Sequence, residues 1–130
     1  MRKVTQLTLT MQSKPGVLAT VCATLANAGI NVDGVCAPET AGKGKVRLLV
    51  GEAPRAQAVL KQAKLRAGIE EALALTLENR PGSLAEVAGK LARAKVNIKC
   101  AYATTPGPGG QATLVLTVSN LAKAMAALGG

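Results

Sequence analysis

The sequence predicts an α+β protein built from two tandem copies of a β-α-β-β-α-β unit, one in residues 1–69 and one in 70–130. Three observations lead there. Stretches with apolar residues at every second position alternate with stretches where they recur every three to four, the periods of strand and helix. Proline and glycine punctuate the junctions between them. The chain also repeats itself at an offset of 66 residues.

The repeat is clearest around the first helix. Lys14-Pro15-Gly16-Val17-Leu18-Ala19 answers Arg80-Pro81-Gly82-Ser83-Leu84-Ala85, and Ala28-Gly29-Ile30-Asn31-Val32 answers Ala94-Lys95-Val96-Asn97-Ile98. Between residues 14 and 32, nine of nineteen positions are identical to their counterparts without a gap. The match extends outward, with Leu7, Leu9 and Met11 answering Leu73, Leu75 and Leu77, and Leu48 and Val50 answering Leu114 and Leu116. A register kept over that length indicates duplication rather than shared alanine-rich composition.

Each copy reads the same way. Residues 4–11 alternate apolar residues with Thr or Gln, a half-buried strand. Pro15 stands where a helix begins, since its fixed φ suits a first turn. Leu18, Val21, Cys22 and Leu25 form an amphipathic stripe, and Gly29 can end it. Ile30, Val32 and Cys36 suggest a second strand. Residues 38–45, with Gly42 and Gly44, form a hairpin loop. Residues 46–50 are apolar on both faces and read as a central third strand. Pro54 opens a helix carrying Ala56, Val59, Leu60 and Ala63, and residues 65–70 suggest a fourth strand. Copy two predicts a strand near 72–78, a helix over 82–94, a strand over 96–102, a loop over 104–111, a strand over 112–118 and a helix over 120–128. No clear last strand follows. The order is the split βαβ, or ferredoxin-like, arrangement, with helices on one face of an antiparallel sheet.

Composition narrows the function classes. The core must be built from Ala, Val, Leu and Ile, because the sequence has no Phe, no Trp and one Tyr, Tyr102. The net charge of +9 invites a nucleic-acid reading. However, the charge is scattered, and stacking on bases needs aromatic residues that are missing here. The chain contains no His, so Ser-His and Cys-His nucleophile pairs and the usual zinc sites are excluded. No acidic pair is placed for general acid–base work, no cofactor is implied, and Gly42-Lys43-Gly44-Lys45 lacks P-loop spacing. Cys22, Cys36 and Cys100 fit reduced, packed thiols. Without a signal core or an apolar run of about 20 residues, the expectation is a soluble, cytoplasmic protein with no membrane role.

The strand-to-helix loops hold the functional candidates: Ser13, Lys14, Pro15, Gly16, Val17 and Leu18 in copy one, and Asn79, Arg80, Pro81, Gly82, Ser83 and Leu84 in copy two. Backbone N–H groups at a helix start and the positive end of its dipole favour a carboxylate. Asn31 with Val32, and Asn97 with Ile98, begin the next strand, and an amide can both donate and accept. Such groups suit a zwitterion. The same residues also serve as ordinary turn chemistry. The run Gly107-Pro108-Gly109-Gly110 reads as a turn-rich loop that could act as a flap.

These loops and the Asn-containing elements that follow, in both copies, resemble the ACT domain over nearly the whole chain. The resemblance implies a non-catalytic regulatory module that binds a small amino acid or related metabolite at domain interfaces. The lack of a clear last strand in copy two makes a homodimer the expected assembly. In serine-biosynthetic dehydrogenases of that family the effector contacts match Asn79 and Asn97, with Ser13 and Asn31 in copy one. The His two residues before the first Asn is replaced by Leu77, and by Met11 in copy one, a departure that bears on which ligand is bound. Asp33 is placed to meet an ammonium or to serve as a turn acid. A second reading is a regulatory subunit that associates with a metabolic enzyme, since Arg80-Pro81-Gly82-Ser83-Leu84-Ala85 also resembles the small subunits of acetohydroxyacid synthase. An RNA-binding module ranks below both.

Overall fold

A computed structural model describes residues 1–39, 41–105 and 110–129. Of the anticipated flap, residues 107–109 lie outside the described residues. The chain forms β1 (Arg2–Gln12), α1 (Val17–Asn27), β2 (Val32–Cys36), β3 (Lys43–Val50), α2 (Ala53–Gln62), β4 (Gly68–Glu78), α3 (Ser83–Arg93), β5 (Ile98–Thr104), β6 (Gln111–Val118) and α4 (Leu121–Gly129). The fold is α+β, with the tandem ferredoxin-like organisation the sequence predicts.

Two compact units divide these elements. The first is Thr5–Glu70; the second joins Met1–Val4 to the residues from Glu71 onward. In the first unit the strands run β2-β3-β1, with residues 68–70 of β4 beyond β1. In the second they run β5-β6-β4, with residues 2–4 of β1 beyond β4. The edge left open after α4 is thus taken by the amino-terminal residues. Lys3 pairs with Glu71 at 3.7 Å, and Met1 reaches Gly129, where an added Cβ would meet its methyl at 2.8 Å.

The fourth and fifth expected strands are one. By pattern, residues 65–70 and 72–78 read as separate strands, but β4 runs unbroken through Ile69, Glu70, Glu71 and Ala72. No Gly, Pro or Asn interrupts it, so the backbone has no reason to turn.

In the first unit β1 pairs antiparallel with β3, from Gln6 opposite Leu49 to Gln12 opposite Lys43. In the second β4 pairs with β6, from Leu73 opposite Leu116 to Glu78 opposite Gln111. A correction follows from these registers. Leu7 faces Leu48 whereas Leu73 faces Leu116, so the last strands correspond at an offset of 68, not 66. The second hairpin connection is two residues longer. Strand alternation has period two, so an insertion of two leaves every leucine on its own face and the apparent match survives.

Each unit has its own apolar core. Leu7, Leu9, Val21, Leu25, Leu48 and Leu60 anchor the first, and Leu73, Leu75, Val87, Leu91, Leu114 and Leu116 the second. Burying one such side chain contributes about 1.5–3 kcal/mol. The stripe Val21 and Leu25 on α1, repeated as Val87 and Leu91 on α3, holds each helix to its sheet. β3 is central, as its pattern suggests, yet it is not wholly apolar. Arg47 is buried there, bonded through Nε to Glu70 at 2.9 Å, and Gln6 Nε2 donates to the same carboxylate oxygen at 2.9 Å. A charge removed from water must be paired in this way. Among the described residues the cysteines form no disulfide, and no helix is long and apolar enough to cross a membrane.

Candidate functional site

Both loops are built on one backbone device. Lys14-Pro15-Gly16-Val17 and Arg80-Pro81-Gly82-Ser83 are type II β-turns. The glycines hold φ 91° with ψ −15° and −16°, and the closing bonds run from Val17 N to Lys14 O at 3.4 Å and from Ser83 N to Arg80 O at 3.3 Å. Proline supplies the second turn residue and glycine the third. The helices therefore start at Val17 and Ser83, two residues after the prolines rather than at them. Glycine is needed for its φ: a Cβ at Gly16 would meet nothing within 4 Å, and one at Gly82 only the Arg80 guanidinium at 3.8 Å.

Past the turns, the first N–H groups of each helix, at Leu18–Ala19 and Leu84–Ala85, have no carbonyl of their own helix to bond. Leu18 and Leu84 occupy the same place in the two copies, and both are exposed. Ser13 N donates to Gly42 O at 2.9 Å and Asn79 N to Gly110 O at 2.7 Å, tying each loop to the following hairpin.

The side chains differ between copies. The Ser13 hydroxyl bonds the Glu39 carboxylate. At the matching place Asn79 Nδ2 donates to Thr105 Oγ1 at 3.1 Å. Copy one thus carries an acid against its loop where copy two carries a neutral hydroxyl. Neither Glu39 nor Thr105 stands out in sequence, because each lies 26 residues from its partner in a loop without periodicity. Arg80 is clamped by Glu78 at 3.0 Å and Glu86 at 3.1 Å, and these carboxylates, Glu86 first, raise its pKa. Lys14 has no such partners, since Gln12 and Thr20 stand at the corresponding positions.

A cavity adjoins each loop. In copy two it measures about 220 Å³ and is lined by Asn79, Arg80, Ser83 and Leu84 with Thr105 and Leu114 among its walls. In copy one it is about 140 Å³, bounded by Ser13, Lys14, Val17 and Leu18 with Pro38 and Gly44. Gly44 is required there: a Cβ would sit 2.3 Å from Pro38 O.

The asparagines of the next strand do not reach these cavities within their own unit. Ser13 follows Gln12, which faces Lys43 at one end of β3, whereas Asn31 precedes Val32, which faces Val50 at the other. Seven residues of strand separate them, about 23 Å. Asn79 and Asn97 are divided in the same way along β6, by the pairs Glu78 with Gln111 and Ile98 with Val118. Asn31 is exposed and donates to Asp33 at 2.7 Å; Asn97 is exposed, and its backbone is bonded to Ser119.

The profile of a family described as an ACT domain pair matches residues 2–128. No curated protein matches the chain. A crystal structure of a Bacteroides thetaiotaomicron protein is similar at 29% identity and TM-score 0.89, covering 98% of this chain and 87% of that one. The ligand-free regulatory subunit of aspartate kinase from Thermus thermophilus is similar in fold at 18% identity and TM-score 0.71, covering 97% and 91%. The corresponding subunit from Thermus flavus gives 16% identity and TM-score 0.67, covering 98% and 90%.

Proposed function

Because the chain belongs to the ACT-domain family, as a pair of such domains, we propose that it is a non-catalytic regulatory module whose effector is a small amino acid held at the β4–α3 loop. The observation that carries this reading is the cavity of about 220 Å³ bounded by Asn79, Arg80, Ser83 and Leu84. It is smaller than the roughly 300–1,000 Å³ typical of drug-sized ligands, which suits a ligand of few heavy atoms. The α3 N–H groups favour its carboxylate. The copy-one loop is the weaker candidate, because its cavity is smaller and the Glu39 carboxylate already takes the Ser13 hydroxyl.

Asn97 stands at the far end of its own unit, so it would join this site from a second copy of the chain in a homodimer. A symmetric pair would place each loop against the partner's strand start. The exposed Leu84 would then be covered.

Thermal shift with each of the twenty amino acids, confirmed by calorimetry, tests the proposal. A ligand at about 100 times its Kd stabilises by about 2.7 kcal/mol. Asn79→Ala and Asn97→Ala should each abolish the shift. Mixing the two variants should restore roughly one site in four, because one mixed-dimer site receives both intact residues. No shift with any amino acid at millimolar concentration would sink the effector reading.

A second reading, association with a biosynthetic enzyme as a regulatory subunit, is supported by the fold shared with the Thermus thermophilus aspartate kinase regulatory subunit over 91% of that chain. Pull-down from the native extract separates the two readings: stoichiometric recovery of one enzyme favours the subunit role.

A further inference from the structure

In the first unit a cavity of about 670 Å³ lies along the outer side of α2, larger than those at either loop. One wall is a single helical stripe, Pro54, Gln57, Ala58 and Lys61, at the spacing of one face. The other is the returning segment Lys64, Leu65, Arg66 and Ala67. Gln57 Nε2 donates to Ala67 O at 2.7 Å and ties the walls together.

Three cations line this space and no carboxylate does. Lys61, Lys64 and Arg66 make none of the five ion pairs among the described residues. Apart from these cations and Gln57, the lining is apolar, through Pro54, Ala58, Leu65 and Ala67. Copy two does not repeat the arrangement, since Gln57 and Lys61 answer Met125 and Gly129 at the offset of 68.

Lys64 is placed by the backbone. It has φ 63°, at the end of α2, where Lys64 N bonds Lys61 O at 2.9 Å and Leu65 N bonds Leu60 O at 2.8 Å. Glycine is the usual residue at such a left-handed position, and Gly29 occupies the equivalent one after α1 with φ 73°. A lysine there costs about 1–2 kcal/mol of backbone strain.

We infer that this cavity is a second ligand site, for an organic polyphosphate of the nucleoside di- or triphosphate class. Lys61, Lys64 and Arg66 would neutralise the phosphates, and the apolar residues would seat the nucleoside. Cations with no protein partner suit a multiply charged anion, because charge-assisted bonds to phosphate are strong and multiple. The volume lies within the roughly 300–1,000 Å³ of small-molecule sites. The site is independent of the amino-acid loops and shares no residue with them.

Calorimetry on the full chain with ATP, adenosine and inorganic pyrophosphate, at fixed salt, tests the inference. ATP should bind at least tenfold more tightly than either fragment. Lys64→Gly should weaken ATP binding about tenfold or more, the loss of one charged contact. It should also raise Tm, because glycine relieves the left-handed backbone. Lys95→Gly is the control. Lys95 has φ 59° at the end of α3, so this change removes the same charge and relieves similar strain. It should raise Tm but leave ATP binding within twofold. Three results would overturn the site: no ATP binding at millimolar concentration; equal weakening by the two variants, which is the mark of diffuse charge; or tighter binding of a single-stranded RNA decamer than of ATP that Lys64→Gly weakens.

Discussion

Gly16 and Gly82 each hold φ 91° in a turn that leads into a helix. An L side chain there costs roughly 1–2 kcal/mol even though space is free. Gly82→Ala should therefore lower unfolding free energy by about that amount in urea titration, whether or not ligand is present. A second residue-scale prediction concerns Glu70. Burial pushes its carboxyl up, but bonds from Arg47 and Gln6, and the charges of Arg47 and Lys45, outweigh burial and leave the pKa below its ordinary value. The folded state thus favours the ionised form. Its contribution is fully present above the unfolded pKa and is lost as pH falls through the lowered folded one. Glu70→Gln should flatten the fall in Tm below about pH 4.5, its ordinary pKa. An unchanged acid limb would show that the Arg47 pair carries no such linkage.

At the scale of elements, helix existence was legible while helix starts were not. The stripes through Leu25 and Leu91 are local periodicity, and both leucines are fully buried. Leu25→Ala and Leu91→Ala should each cost about 2–5 kcal/mol. Hydrogen exchange should show the loss of protection centred in the first unit for Leu25→Ala and in the second for Leu91→Ala. The prolines misplace the helix starts because Pro at the first helical position and Pro in a type II turn look alike until the glycine's φ is known. The two-residue insertion in the second hairpin is hidden for a related reason: a strand pattern of period two is blind to even shifts.

Over the whole molecule, the amino-terminal residues belong with the second repeat. Removing residues 1–4 should therefore destabilise the second unit rather than the first. A loss of about 1–3 kcal/mol, with exchange rising along β4 and α4, is the expected outcome. Greater exchange in α1 and β3 than in α4 would contradict it. The same kind of long-range placement governs the candidate site. Asn79 and Arg80 were legible from a short motif and do line a cavity, whereas Thr105 and Glu39 reach the loops from a distant hairpin.

The sequence by itself determined the duplication, the order of helices and strands, the leucine cores and the Pro-Gly loops. The duplication is legible because one pattern recurs at a fixed offset, and the others rest on local periodicity and turn chemistry, which a short window of residues contains. Only the tertiary structure decided that β4 is continuous, that residues 2–4 complete the second unit's sheet, that Arg47 is buried against Glu70, and that Asn97 stands away from Asn79. Which edge a strand pairs with, and which charge meets which, depends on contacts between residues far apart in the chain. Local pattern shows that a strand has a face to bury but does not name the strand it will lie beside.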